Sequence, residues 1–428
     1  MVSWPEVSLE EVSKEITVGH VGPMADQYVV DGIPFLRSLN VEPFRISQDD
    51  LKFIDASFHH RLRKSTLKPG DVVIVRTGKP GACAVIPDWL QDANCSDLVI
   101  VRCNSRVRPA FASYMVNSVA AHHIDAHLVG AVQQHFNVGS ARTIRFGLPS
   151  LKEQDAIIAI LGALDDKIDL NHRMNETLEA MARAIFKDWF VNFGPTRVRR
   201  EGESIHLTSD ILSRFPDRLD DEGKPAGWRL SRLGDEVKTV LGGTPSRAEV
   251  SYWGGDIPWI NSGKANEFRI VTPSEFITQA GLASSNTKLL PPRTTVIAIT
   301  GATLGQVSLT EIATCANQSI VGVIGTDTLP GEFIYCWIKE NIDRLIASQT
   351  GGAQQHINKQ DVNELPTLIP TPAVMQSYIA TVRPLFEKIK IGCLESLTLS
   401  ATRNFLLPKL ISGEVRVKEA EIVAGAAQ

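Results

Sequence analysis

An internal repeat constrains this chain more than any other feature of its 428 residues. The octet GAVQQHFN that starts at Gly130 is answered by GGAQQHIN at Gly351. IPFLRSLN at 33–40 is answered by IPWINSGK at 257–264, and the offset between matching pieces stays between 221 and 224. So small a drift over about 150 residues indicates two copies of one domain, because a solenoid repeats at far shorter periods.

Each copy begins with a globular part, at residues 1–150 and 227–371. Short β-branched runs such as DVVIVRTG and TVIAITG, punctuated by glycine and proline, are typical of strands joined by tight turns. One longer apolar stretch in each copy, 111–129 and 332–348, predicts a helix. Each globular part is therefore expected to be an α+β domain.

Each copy ends in a helical part, at 151–191 and 372–412. Apolar residues recur there at steps of three and four, which is the pattern of a helix that pairs with another. Pro384 is expected to kink the second helix in its first turns. The polar segment 192–226 reads as a linker and 413–428 as a tail. The predicted fold is α+β, with two duplicated domains separated by a long antiparallel two-helix coiled coil and related by a pseudo-twofold axis.

In each helix the apolar pattern is interrupted near its middle by two residues that are polar or lack a side chain. The interruption falls at Asn171 and Asn175 in the first helix and at Gly392 and Ser396 in the second. Antiparallel pairing would set Asn171 opposite Ser396 and Asn175 opposite Gly392. One hypothesis is that this polar layer fixes the register of the pair, as a buried asparagine does in zippers. The alternative is that these residues lie off the seam.

Composition excludes several classes of protein. No apolar run reaches the roughly 20 residues of a membrane helix, and the acidic N-terminus lacks a signal core, so a cytoplasmic location is expected. The six scattered cysteines predict reduced thiols and no zinc framework. A net charge of −4 argues against coating nucleic acid by bulk electrostatics, but a DNA reader with local basic residues stays open.

Catalytic motifs are missing from the sequence. There is no phosphate-binding P-loop, no methyl-donor loop and no methyltransferase tetrapeptide. His123 and His127 have a spacing that could hold zinc, but a third ligand is not evident and a structural histidine pair is the simpler interpretation. Asp217, Glu222 and Lys224 resemble a nuclease motif only loosely, within the linker. The sequence thus predicts a binding protein with no catalytic, metal or cofactor site of its own.

The repeated octets are candidates for contact with DNA. Glutamine reads adenine in the major groove, and histidine and asparagine reach base edges or phosphates. A polar turn that satisfies its own backbone is the competing interpretation. Repetition favours a shared task, such as gripping the DNA backbone, over reading different sequences. The octet candidates are Gln133, Gln134, His135, Asn137, Gln354, Gln355, His356 and Asn358.

Positions that differ between the copies are better candidates for specificity. In the alignment of the two copies, Arg37 corresponds to Asn261 and Arg142 corresponds to Asn363. Arg76 and Lys79 correspond to Ile299 and Ala302. Domains that read different bases must differ at their reading positions. The DNA-binding candidates outside the octets are Arg37, Arg76, Lys79, Asn261, Lys264 and Thr300.

Taken together, these motifs resemble the specificity subunit of type I restriction-modification systems. The resemblance covers nearly the whole chain. It rests on two globular copies that each end in G-x-x-Q-x-x-hydrophobic-N, on the helical segment from Leu151, on FPDRLDDEGKPAGW at 215–228 and on LLPKLISGEV at 406–415.

The resemblance implies a function. Each domain would read one half of a bipartite site in double-stranded DNA, and the paired helices would set the gap and dock two modification (methyltransferase) subunits. Restriction subunits would join them, and S-adenosylmethionine, ATP and magnesium would be bound by these partners. The alternatives are the recognition chain of a Type IIB or IIG-like restriction system and a coiled-coil scaffold that does not bind DNA.

Overall fold

The structure is a computed structural model, and it describes residues 4–127, 136–201, 207–347 and 356–415, with Val417 and Gly425. The chain divides into two compact units. The first unit is Met1–Asp169 with Ser396–Gln428, and the second unit is Leu170–Glu395. Among the described residues, the helices are too short or too polar to cross a membrane.

The first unit contains the first domain, built on short strands. They are β1 (Glu6–Ser8), β2 (Ser13–Val18), β3 (Tyr28–Val29), β4 (Ile33–Leu36), β5 (Val41–Glu42), β6 (Arg45–Ile46), β7 (Lys52–Ile54), β8 (Val72–Val75), β9 (Cys83–Val85), β10 (Asn94–Cys95), β11 (Leu98–Cys103) and β12 (Arg145–Gly147). One antiparallel sheet has the order β2-β11-β8-β9 and a second sheet the order β10-β4-β7-β3. Strand β8 is buried along its whole length, as a continuous run of β-branched residues predicts.

Helices cover these sheets. They are α1 (Ala56–Arg61), α2 (Pro109–His127), α3 (Val138–Arg142) and α4 (Leu151–Phe190). Asp55 caps α1 by accepting the Phe58 N–H at 2.8 Å. Ser150 and Glu153 form a reciprocal capping box that starts α4 at Leu151. Residues 151–169 of α4 belong to the first unit and residues 170–190 to the second.

The second unit contains the second domain. Its elements are α5 (Gly194–Glu201), α6 (Ser209–Ser213), β13 (Arg229–Arg232), α7 (Leu233–Glu236), β14 (Lys238–Leu241), β15 (Trp253–Ile260), β16 (Glu275–Ile277), α8 (Gln279–Ala283), β17 (Thr295–Ala298), β18 (Val307–Leu309), β19 (Cys315–Ala316), β20 (Ile320–Ile324), α9 (Gly331–Ala347), α10 (Lys359–Asn363) and β21 (Pro366–Ile369). The last helix, α11 (Pro372–Ile411), belongs to this unit as far as Glu395 and to the first unit from Ser396 on. Its sheets have the orders β14-β20-β17-β18, β16-β15-β19 and β13-β21.

The duplication extends to sheet topology. The order β14-β20-β17-β18 repeats β2-β11-β8-β9, and the pair β13-β21 repeats the antiparallel pair β1-β12. Strands β4 and β15 each pair in parallel with a short strand, β10 or β19. The α+β fold with two copies of one domain is therefore confirmed.

The long helices bury the predicted apolar seam. In the second unit, rings of α4 and α11 meet: the Phe190 and Tyr378 centroids lie 4.9 Å apart and those of Trp189 and Tyr378 5.9 Å apart. At the other end of this segment Asn171 bonds Glu395, so the two helices run antiparallel here. Three of the apolar residues predicted for the seam, Leu178, Ile185 and Leu385, are only half-buried.

Helix α11 is continuous from Pro372 to Ile411, so Pro384 does not interrupt it, and a kink at this residue stays a prediction. Ala380 and Pro384 both lie on the exposed face. Solvent can therefore hydrate the Ala380 carbonyl that loses its helical hydrogen bond, which lowers the cost of the proline.

The segment 192–226 is more structured than its polar composition indicates. It contains α5 and α6, and Phe215 is buried with its ring centroid 4.9 Å from that of Trp189. One buried aromatic anchor thus holds a segment that composition alone assigns to a linker.

Candidate nucleic-acid interface

In the first domain, several loops meet where the central strand β8 ends. The Arg76 N–H donates to the Asp97 carbonyl at 3.2 Å, and the Asp97 N–H donates to the His20 carbonyl at 3.4 Å. The Phe136 N–H, at the end of the octet, donates to the Arg76 carbonyl at 3.1 Å. We call this loop cluster the first edge: His20, Arg37–Asn40, Arg76–Ala82, Ser96–Asp97 and Phe136.

The second domain repeats this arrangement where β17 ends. The Ile299 N–H donates to the Ser319 carbonyl at 2.9 Å, and the Ile357 N–H donates to the Ile299 carbonyl at 3.0 Å. The Asn317 N–H donates to the Ile260 carbonyl at 3.0 Å. We call this loop cluster the second edge: Gly242–Thr244, Asn261–Asn266, Thr300, Asn317–Ser319 and Ile357.

Both octets therefore end on an edge, held there by a hydrogen bond that the two copies share. Gln133, Gln134, His135, Gln354 and Gln355 lie outside the described residues. His356 is described and exposed.

The asparagine of each octet has a structural task. Asn137 Oδ1 accepts the Ser140 N–H at 2.9 Å and caps α3. Asn358 Oδ1 accepts the N–H groups of Gln360 and Asp361 at 2.7 and 3.1 Å and caps α10. Helix capping explains why asparagine recurs at this place, so contact of Asn137 and Asn358 with DNA stays a prediction that the repeat does not require.

The arginines of the first edge are paired with acids. Arg37 Nη2 donates to Asp50 Oδ2 at 2.8 Å, and Arg76 Nη1 lies 3.5 Å from Asp97 Oδ1. Hydrogen bonds from Lys52 and then Arg37 lower the pKa of Asp50 to about 2. Lys79 is exposed in the turn that follows Arg76. The first edge thus combines positive and negative groups within a few ångströms.

The predicted residues of the second edge carry less free charge. Asn261 Oδ1 accepts the Gly263 N–H at 2.9 Å and caps a short 3-10 turn. Lys264 Nζ donates to Glu267 Oε1 at 2.7 Å, and its side chain is 16% exposed. Thr300 is half-buried at the end of β17. A polar, nearly neutral surface results.

Arg142 and Asn363, which occupy corresponding positions in the two copies, lie away from the edges. Asn363 Oδ1 accepts the Thr239 hydroxyl at 2.5 Å. Arg142 Nε lies 3.7 Å from Glu10 Oε1. These contacts tie α10 and α3 to their own domains.

Sequence reasoning missed two polar residues of the second edge, Thr244 and Gln318. Gln318 is exposed on the turn between β19 and β20, and its Oε1 accepts the Thr244 hydroxyl. A signal was present, because the turn Ser96–Asp97 of the first copy corresponds to Asn317–Ser319 in the second copy, which is one residue longer. An insertion inside an otherwise steady repeat marks a loop that is free to vary.

Residues 225–390 match the family model of the type I restriction modification DNA specificity domain. The specificity subunit of the type I restriction enzyme HindI from Haemophilus influenzae is 26% identical over 64% of this chain and 70% of its own length. That of MjaIX from Methanocaldococcus jannaschii is 28% identical over 65% of this chain and 62% of its own length. The chain thus contains a type I restriction modification DNA specificity domain, and it is similar to the specificity subunits of type I restriction enzymes.

The fold agrees with this family. The crystal structure of a type I S subunit from M. genitalium aligns with a TM-score of 0.52 at 14% identity and covers 96% of both chains. Because the identity is so low, this likeness extends to the fold alone. The part matched by the DNA specificity family comprises the second edge and the first half of α11.

The second domain is anchored on α4 by a buried arginine. Arg269 has a fully buried side chain whose Nη1 donates to Glu179 Oε2 at 2.7 Å. The Tyr335 hydroxyl donates to Glu179 Oε1 at 2.9 Å. Burial raises the pKa of Tyr335, so its hydroxyl stays protonated and able to donate.

The first domain is anchored on α4 by the corresponding tyrosine. The Tyr114 hydroxyl donates to Asp165 Oδ2 at 2.6 Å, and Arg403 of α11 donates to Asp165 Oδ1 at 2.6 Å. The Arg403 guanidinium stacks 4.2 Å from the centre of the Phe44 ring. The repeat-related residue of Arg269 is Arg45, which pairs with Glu42 at 2.7 Å and lies 4.0 Å from Asp169 of α4.

Residues of these anchors recur in the internal repeat. Phe44-Arg45-Ile46 recurs as Phe268-Arg269-Ile270, and Tyr114 recurs as Tyr335. Of these repeated residues, the tyrosine hydrogen-bonds an acid of α4 in both copies, Tyr114 to Asp165 and Tyr335 to Glu179.

The residues of the proposed register layer occupy buried or half-buried places on the long helices. In the second unit, Asn171 is fully buried and donates to Glu395 Oε2 at 2.7 Å. Asn175 lies against Gly392, since a Cβ at position 392 would meet Asn175 Oδ1 at 2.6 Å. Ser396 belongs to the other unit. That this layer fixes the register stays a prediction.

The candidate metal and nuclease residues form no such site among the described residues. The described part of the chain contains no group of three or more histidine, cysteine, aspartate or glutamate side chains that could hold a metal. Lys224 donates to Asp220 at 2.5 Å and to Glu222 at 2.6 Å, which closes the turn before Trp228. The side chains of His123 and His127 lie outside the described residues.

Proposed function

We propose that each domain of this specificity subunit reads one half of a bipartite site in double-stranded DNA with its edge. The observation that carries the proposal is that the two edges share their backbone hydrogen bonds but differ in side chains. A backbone that is hydrogen-bonded in the same way presents its side chains to DNA in the same way, and different side chains then select different bases.

The chemistry of the edges suits the major groove. Arginine contacts guanine, amides contact adenine, and acids accept from cytosine. The first edge presents Arg37, Arg76 and Lys79 beside Asp97, and the second presents Asn261, Thr300 and Gln318. On binding, phosphates would compete with Asp50 and Asp97 for the arginines, since charge-assisted bonds to phosphate are strong. The octets beside each edge would contact the DNA backbone.

The helices α4 and α11 are proposed to set the gap between half-sites and to dock two methyltransferase subunits. Residues Ile158, Ala159, Gly162 and Ala163 of α4 line a groove of about 440 Å³ in the first unit. The repeat-related residues Ile379, Ala380, Arg383 and Pro384 of α11 line a groove of about 700 Å³ in the second unit. Grooves on repeat-related helix faces suit two copies of one partner.

Catalysis is assigned to the partners of this chain. Methyl transfer would take place on methyltransferase subunits that bind S-adenosylmethionine, and restriction subunits would supply ATP- and magnesium-dependent translocation and cleavage. The complex would act in the cytoplasm. The chain itself would supply DNA binding and alignment.

The test is to reconstitute the chain with its partner subunits and to sequence the DNA that the complex methylates. We expect a bipartite adenine-methylated motif with two short half-sites and a fixed gap. A contiguous motif, or methylation without sequence preference, would refute the proposal. A complex that lacks only this chain is the control.

A further inference from the structure

We infer that Gln318, oriented by Thr244, contacts an adenine in the half-site of the second domain. The inference rests on the proposed function and deepens it, because it names one base-reading residue and the base it reads.

Gln318 lies on a rigid turn at the centre of the second edge. Backbone bonds join this turn and the strands beside it to the ends of three neighbouring strands: Asn317 to Ile260, Ile299 to Ser319 and Gly243 to Ala316. A Cβ at position 242 would lie 2.1 Å from the Asn317 carbonyl oxygen, so only glycine allows this close packing. A residue on such a turn is presented with little freedom of its backbone.

The side chain of Gln318 is exposed and its amide is oriented. The Thr244 hydroxyl donates to Gln318 Oε1, which places the amide nitrogen on the other side. Within the described residues Nε2 donates to no group, and Oε1 keeps a second lone pair. Thr244 thus holds the end of the Gln318 side chain in place before DNA binds, with Oε1 facing the hydroxyl.

This arrangement matches adenine. In the major groove adenine offers N7 as an acceptor and its N6 amino group as a donor, side by side. Gln318 Nε2 would donate to N7, and Oε1 would accept from N6. Guanine offers two acceptors at these places, so Oε1 would meet an oxygen and lose a hydrogen bond.

The first edge carries different chemistry at the corresponding place. The Ser96–Asp97 turn is one residue shorter than Asn317–Ser319, and Asp97 pairs with Arg76. A carboxylate and a guanidinium cannot form the paired amide contact with adenine. A substitution at Gln318 should therefore alter one half-site only.

The contact between Thr244 and Gln318 matters little for folding. Both atoms lie at the surface, and the turn is held by backbone bonds and by Asn317 Oδ1, which accepts the Ser319 N–H at 3.1 Å. Gln318→Ala should leave the fold intact, which makes the inference testable by base preference.

The experiment compares the methylated motif of the reconstituted complex for wild type, Gln318→Ala, Gln318→Glu and Thr244→Val. Gln318→Ala should reduce discrimination at one A·T position of one half-site by about 10- to 100-fold, the worth of a bidentate base contact. Gln318→Glu should shift that position towards cytosine, because a carboxylate accepts from the cytosine amino group. Thr244→Val should give a smaller loss at the same position.

The control is Gln279→Ala, an exposed glutamine on α8 away from the edge, which should leave the motif unchanged. An unaltered motif in both Gln318 variants would overturn the inference while leaving the proposed function in place. Uniform weakening at every position would also overturn it, because it would indicate a phosphate contact. Failure of the wild type to give any bipartite motif would refute the proposed function itself.

Discussion

The two domains are anchored on helix α4 by repeat-related tyrosines but by different arginines. In the second unit the arginine is Arg269 of the domain itself, fully buried against Glu179. In the first unit it is Arg403 of α11, which meets Asp165 with 13% of its side chain exposed. The duplicated frame thus keeps the docking geometry while the source of the charge changes.

The edges differ in a similar way. Their backbone hydrogen bonds are shared, but the first edge presents ion pairs and the second presents amides and hydroxyls. What the comparison teaches is that duplication preserves backbone contacts and leaves the exposed side chains free to diverge. Specificity can therefore change without loss of the fold.

The largest expected effect separates the two anchors. Glu179→Ala would leave the buried Arg269 guanidinium without its main partner, and we expect the second unit to lose about 3–5 kcal/mol of unfolding free energy. Asp165→Ala should cost less, about 1–3 kcal/mol, because Arg403 can reach solvent. Urea denaturation measures both, with the exposed Glu176→Ala as the control. Equal costs would show that the anchors do not differ in burial energetics.

The next prediction concerns the register layer. Asn171→Leu with Asn175→Leu should raise helix stability but relax the register, since a buried polar residue specifies pairing at a cost in stability. The methylated motif should then show a mixture of gap lengths. A single unchanged gap with unchanged affinity would contradict the register hypothesis.

A smaller effect distinguishes the charges of the two edges. Lys79→Ala should weaken DNA binding for all sequences alike and reduce the slope of log affinity against log salt by about one. The reciprocal change at the repeat-related position, Ala302→Lys, should increase that slope by about one. DNA-binding titrations over a range of salt concentrations check both. A change in sequence preference would instead place Lys79 against a base.

The octet glutamines are expected to share one task. Gln133→Ala and Gln354→Ala should each lower affinity for DNA without changing the methylated motif, because the octets are the same in both copies. Binding assays combined with methylation sequencing measure this. A change in one half-site would instead make the octet a base-reading loop.

The smallest effect is a titration confined to the first domain. The pKa of Asp50 lies at about 2, below its ordinary value, because Lys52 and then Arg37 bond its carboxylate. Its stabilising contribution is therefore present above pH 3.8 and is lost as the pH falls through about 2. Lys52→Ala should raise this pKa more than Arg37→Ala does, as NMR titration of the side-chain carboxyl would measure. The opposite order would show that Arg37 dominates.

Sequence patterns gave the frame but not the contacts within it. The repeat offset and heptad steps predicted the duplicated sheets and the two long helices, because burial periodicity follows directly from residue order. They did not show that Asn137 and Asn358 cap helices, or that Lys264 is paired with Glu267. Such contacts depend on which side chains the turns bring together, and here one inserted residue placed Gln318 at the centre of an edge.

The most direct test of the account replaces residues 1–150 with the corresponding domain of another specificity subunit. The account predicts that one half of the methylated motif changes while the other half and the gap stay the same. A change in both halves, or in the gap, would contradict the claim that each domain reads its own half-site on a shared pair of helices.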